Sequence, residues 1–187
     1  MGGLREKSIN WEEEGWEFKA RHECVHGFHH TDMKPAAHAY HMRADQVEVA
    51  LREARLSAEQ LGVAVNIALV DLGGNLTGFL RMPGAFLASI ELAIDKAYSA
   101  VSFGMSTRSF GDMLDQVSTR TAEGLRRRPN VTDVAGGFPI LSGGEMLGGI
   151  GVSGASEDED EQIAEAAGKV FSAKQQQHNF GEYSHGA

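Results

Sequence analysis

Histidine is the residue type whose placement carries most of the chemistry in this chain. His22, His26, His29, His30, His38 and His41 crowd the N-terminal arm, and His178 and His185 lie near the other end. Residues 45–174 hold neither histidine nor cysteine. Neutral imidazole and thiolate are the usual protein ligands for zinc and its neighbours in the transition series. An ion held by imidazole or thiolate must therefore take its ligands from the ends of the chain. His22, His26, His29 and His30 are the candidate metal ligands, for iron or zinc, and Glu23 or Asp32 can accept the second ring N–H of a ligating imidazole. The same residues also read as a solvated polar leader.

His22-Glu23-Cys24-Val25-His26 matches H-E-x-x-H, in which two histidines one helical turn apart bind zinc beside a catalytic glutamate. Its surroundings argue against a peptidase. Gly27 stops any helix at once, and the extended motif fails, with His29 in the glycine position and Asp32 in the final histidine position.

Between the ends, the candidate anion contacts are Arg81, at the end of a strand, and Lys96, on an otherwise apolar helix. A guanidinium and an ammonium suit carboxylates. The plain alternative for Lys96 is a pair with Glu91 or Asp95, or a stem lying along apolar surface. Asp71, before Gly73-Gly74-Asn75, reads as a turn residue bonding the backbone. Glu145 reads as structural. Gly73-Gly74 and Gly143-Gly144 lack the strand–loop–helix context of a phosphate loop. Ser153 lacks G-x-S-x-G and has no histidine within the domain to activate it.

The elements that must position these groups follow from periodicity. Val47, Ala50, Leu51, Ala54, Ala58 and Leu61 recur at helical spacing and Gly62 ends the run, so a helix is expected over 44–61. Val63, Val65, Ile67 and Leu69 alternate, predicting a strand over 63–71 that Gly73-Gly74-Asn75 turns into a partner over 76–82. A second helix is expected over 85–103, and a third from Ser106 or Thr107 to Leu125. Arg126-Arg127-Arg128-Pro129 reads as a loop. Ser142-Gly143-Gly144 joins a further hairpin, whose return strand carries Gly148, Gly149 and Gly151. Bare glycines in a strand mark the close approach of another backbone or a ligand, and subunit contact would suit them. Ser156 and Glu159 form a capping box for a last helix with Ile163, Ala166, Ala167, Val170 and Phe171 buried. Helix, hairpin, two helices, hairpin, helix has no βαβ alternation, so the expected class is α+β, an antiparallel sheet with helices packed on it.

Val70-Asp71-Leu72-Gly73-Gly74-Asn75, Arg81-Met82, Ser89-Ile90, Lys96-Ala97-Tyr98, Ser102-Phe103-Gly104-Met105 and the stretch 140–166 together resemble the GlcG/HbpS family, which includes the C-terminal domain of PduO-type corrinoid adenosyltransferases. The resemblance spans roughly residues 45–174 and implies a profilin-like domain that assembles into multimers. It also implies haem or another tetrapyrrole as ligand, for binding, sensing or degradation. His38 or His41 would be the axial ligand, and Arg81 and Lys96 the propionate contacts. The alternative is a metal-dependent enzyme of small-molecule metabolism using the arm histidines.

The expected organisation is a His- and aromatic-rich arm over 1–43, one domain over 44–175 and a polar tail over 176–187. With 187 residues and 42% hydrophobic content the chain supports one core. A formal net charge of −9 argues against nucleic acid and anionic membrane as partners. The expected partner is a small-molecule ligand, within a homo-oligomer. The single cysteine, Cys24, excludes an intrachain disulfide, and without an apolar leader segment a cytoplasmic protein is expected.

Overall fold

The structure is a computed structural model in which residues 42–172 are described. Helix α1 (Ala44–Leu61) leads into strand β1 (Asn66–Asp71), and a tight turn returns the chain as β2 (Leu76–Arg81). Helices α2 (Ser89–Phe103), α3 (Thr107–Leu114) and α4 (Thr119–Arg126) follow, then the hairpin of β3 (Gly137–Ser142) and β4 (Glu145–Ser153), then α5 (Glu157–Ser172). The strands make one antiparallel sheet in the order β2-β1-β4-β3, so the two hairpins join along β1 and β4, with Asn66 opposite Ser153 and Asp71 opposite Gly148. The α+β layering is the one expected from the order of elements.

Local chemistry explains most of the boundaries. Gly62 closes α1 in the left-handed conformation, at φ 72°. Asp71 Oδ1 accepts the amides of Gly73 and Asn75 at 2.9 Å each, which fixes the β1–β2 turn. Gly143 and Gly144, at φ 60° and 91°, make the left-handed pair that a two-residue hairpin turn requires. At α5 the capping box is present, with Ser156 N–H donating to Glu159 at 3.0 Å and Ser156 Oγ accepting from the Glu159 amide at 3.4 Å.

Two expectations need correction. Helix α2 begins at Ser89, since residues 83–88 are spent on turns after Pro83-Gly84. The single helix expected over 107–125 is two. Ser118 accepts from the Thr121 amide at 3.3 Å and starts a new helix, which runs through Arg126. The close approach expected at the glycines of β4 is made by the chain's own backbone. A Cβ on Gly149 would lie 2.5 Å from the Ala97 carbonyl oxygen, and one on Gly151 would lie 2.0 Å from that of Ala93. At these two positions the close backbone is α2, whereas a Cβ on Gly148 would lie 2.1 Å from the Val70 carbonyl oxygen of β1.

Two cores result. On one face of the sheet Ile67, Leu69, Ile140, Ile150 and Val152 pack against α1 and α5, where Ala50, Ala54, Ile163, Ala167 and Phe171 are buried. On the other, Ala68 and Val70 meet Ala93, Ala97 and Val101 of α2. A small satellite cluster of Phe110, Leu114 and Ala122 ties α3 to α4, with the Phe103 and Phe110 rings stacked at 4.0 Å.

Candidate functional site

Lys96 lies on the sheet-facing side of α2, one turn from Ala93 and Ala100, and that position buries it to 1% exposure. Its Nζ donates to Asp160 Oδ2 at 2.7 Å and to the Val152 carbonyl at 2.8 Å. Asp160 Oδ1 accepts from the Ala155 amide at 3.1 Å, so the carboxylate is held on both oxygens. Burial pushes the Lys96 ammonium below its ordinary pKa and the Asp160 carboxyl above its own, each against the opposing pull of its partner. The pair closes the end of the sheet where α2 and α5 meet it. Gly136 makes the room, since a Cβ there would sit 2.9 Å from Nζ. The ammonium is therefore spent inside the fold, and its partner is neither Glu91 nor Asp95. Asp160 reads in the sequence as one more acid in the first turn of α5. Nothing in the local pattern distinguishes it from its neighbours.

Arg81 ends β2 and is exposed, and its Nη2 donates to the Ala85 carbonyl at 2.9 Å. Opposite it on β1 stands Asn66, fully buried, whose Nδ2 donates to the Phe86 carbonyl at 3.0 Å. Two side chains thus hold the loop between β2 and α2. That loop turns Phe86 and Leu87 outward, at 68% and 71% exposure. Sequence reasoning passed over both residues by assigning them to a helix. The signal available was a pair of large apolar residues directly after Pro83-Gly84.

Two shallow clefts lie among the described residues. One, of about 290 Å³, is lined by Glu91, Ile94, Asp95 and Asn130 on the outer side of α2, where burial and the nearby Glu91 raise the pKa of Asp95. The other, of about 240 Å³, runs between β3 and α5 past Phe138, Leu141, Ala164 and Gly168. No group of three or more His, Cys, Asp or Glu side chains converges as a metal site among the described residues. His22, His26, His29, His30, His38 and His41 all lie outside the described residues, as do His178 and His185. No described helix is long and apolar enough to cross a membrane.

Comparison with known proteins gives consistent likenesses. Residues 42–169 match the family model described as haem degrading protein HbpS-like. The corrinoid adenosyltransferase PduO of Citrobacter freundii is 36% identical over 116 residues, which cover 62% of this chain and 35% of that protein. The chain thus spans about a third of the adenosyltransferase's length. Among solved structures, a double mutant of HbpS from Streptomyces reticuli is 37% identical with a TM-score of 0.64, covering 70% of this chain and 86% of that one. A structure of the PduOC:haem complex is 31% identical, also at a TM-score of 0.64, covering 70% and 94%.

Proposed function

Because the chain belongs to the HbpS-like family of haem-degrading proteins, we propose that it binds haem, with an imidazole of His38 or His41 on the iron and Arg81 meeting a propionate. The observation that carries this reading is the likeness to a protein solved as its haem complex. Binding is the step that sensing and degradation share.

The described residues fit haem in part. Arg81 offers an exposed guanidinium with donors left after its bond to Ala85. Clefts of about 240 and 290 Å³ lie at or below the small end of ordinary ligand pockets, so neither encloses a porphyrin. Residues 45–174 supply no imidazole or thiolate, so in this reading the axial ligand comes from the arm. Lys96 is not carried into the site, because its ammonium is engaged by Asp160 and Val152. Haem, once bound, supplies the redox-active iron centre; the chain's share is to ligate it and to hold the propionate.

Titration of haem into the full chain tests this. A Soret band is expected at stoichiometric haem, to be altered by joint replacement of His38 and His41 with alanine. Arg81→Ala should weaken binding about tenfold, the loss of one charge-assisted hydrogen bond. A chain that stays colourless but holds stoichiometric iron or zinc through His22, His26, His29 and His30 would replace this reading with that of a metal-dependent enzyme.

A further inference from the structure

We propose that residues 173–187 of this chain fold back as a strap that lays the ring of Phe180 into the cleft between β3 and α5. The cleft, of about 240 Å³, is lined by Ala164 and Gly168 of α5 and by Phe138, Pro139 and Leu141 of β3. Leu141 stands at its mouth with 46% exposure. Gly168 lies in the interior of α5, where glycine is a poorer choice than any residue but proline. A Cβ there would meet nothing within 4 Å, so no neighbour in the described fold requires the gap. Nor does the cleft suit an added strand. β3 is an edge of the sheet, and Pro139 removes an N–H from it, so main-chain pairing cannot run along its length. What fits is an apolar side chain.

The course of the chain selects the occupant. Ser172, the last described residue, itself lines the cleft, so the segment that follows starts at its rim. From Ser172 back to Ala164 the helix spans roughly 12 Å, whereas the stretch from Ser172 to Phe180 reaches roughly 26 Å when extended. Phe180 and Tyr183 are the two aromatic residues of a segment otherwise rich in glutamine and other polar residues. Gly181 lets the chain turn after the ring, which sets Glu182 toward the exposed ammonium of Lys169, the neighbour of Gly168. A segment tethered at the rim meets the cleft at an effective concentration of about millimolar, far above that of any other copy in a micromolar solution. The inference does not depend on haem, which this cleft is too small to enclose.

Hydrogen exchange read by mass spectrometry on the full chain tests it, with a thermal melt for each variant to show that it folds. Amides around Phe180 are expected to exchange at least about tenfold more slowly than their intrinsic rates at micromolar concentration. Dilution by about tenfold should leave that protection unchanged. Gly168→Leu fills the cleft with a better helix former, so it should abolish the protection while the melt is kept. Phe180→Ala should abolish it from the side of the strap. Lys169→Glu should reduce it severalfold, and Lys169→Glu combined with Glu182→Lys should recover it. Exchange at intrinsic rates in the wild type, or protection that survives either Gly168→Leu or Phe180→Ala, would overturn the proposal. So would protection lost on dilution, which would give the cleft to a second copy, and protection that appears only on adding haem, which would give the segment to the ligand.

Discussion

The two faces of the sheet are built on opposite principles. Under α1 and α5 the contact is made by side chains, with Ile67, Leu69, Ile150, Ile163 and Phe171 interleaved at 0–1% exposure. Under α2 it is made largely by backbone. Carbonyls of Ala93, Lys96 and Ala97 sit against Gly151, Gly137 and Gly149, and the apolar residues that α2 buries are Ala93, Ala97, Ala100 and Val101. Strand β4 serves both at once: Ile150 and Val152 enter the first core while Gly149 and Gly151 admit the helix on the other side. The side-chain core can exchange volume among many rotamers. The side under α2 has few to exchange, and it encloses a charge.

The largest effect should come from that charge. Removing one member of a buried pair leaves the other uncompensated, at a cost of about 3–5 kcal/mol. Lys96→Met is expected to destabilise by that amount in urea denaturation. Burial pushes both groups toward their neutral forms against the pull of the partner, and desolvation of a buried pair can equal or exceed its mutual attraction. Lys96→Met combined with Asp160→Leu should accordingly be more stable than Lys96→Met alone. A double variant as unstable as the sum of its singles would show that the two groups are not coupled, and the account of a stranded charge would fall.

The next test sets neighbouring residues of one strand against each other. Gly151→Ala adds one carbon 2.0 Å from a helix carbonyl, a clash that only a backbone shift relieves. It should cost at least about 3 kcal/mol, the upper range for overpacking. Ile150→Val removes one carbon from the opposite face and should cost about 0.5–1.5 kcal/mol. Equal losses at the two positions would erase the distinction between the faces.

The sequence showed the first of these faces far better than the second. Large apolar residues at periods of two and 3.6 announce a side-chain core, and α1, α5 and both hairpins follow that pattern, their caps and their turn glycines, with β1 starting at Asn66, three residues later than expected. A backbone core has no such pattern, because glycine and alanine leave little hydrophobic signal. The bare glycines of β4 revealed that something comes close, and only the fold shows that it is α2. Lys96 and Asp160 are 64 residues apart, and local reasoning offered the lysine nearer acids instead. Arg81 stands exposed at a strand end as expected, whereas the histidine assignments lie outside the described residues.

The smallest effect belongs to the outer side of α2, where Asp95 shares a cleft with Glu91, Ile94 and Asn130. Burial, then repulsion from Glu91, holds the Asp95 carboxyl above its ordinary value of 3.8. A raised carboxyl means that the folded chain binds this proton more tightly than the unfolded chain does. Its contribution is therefore most favourable below pH 3.8 and is lost as pH rises through the folded-state value. At neutral pH the ionised group is a net cost, reduced by solvent screening because the residue is only partly buried. Asp95→Asn removes that cost at constant shape. It should stabilise the full chain at pH 7 by no more than about 0.5 kcal/mol, the usual span of a surface change. The gain should shrink as the pH is lowered toward 4. Urea denaturation at both pH values reads the difference, and an Asp95→Asn variant less stable than the parent at pH 7 would mean that the carboxylate makes an attractive contact on this side of the helix. That result would extend to the outer side of α2 the dependence on paired charge that Lys96 gives its inner side.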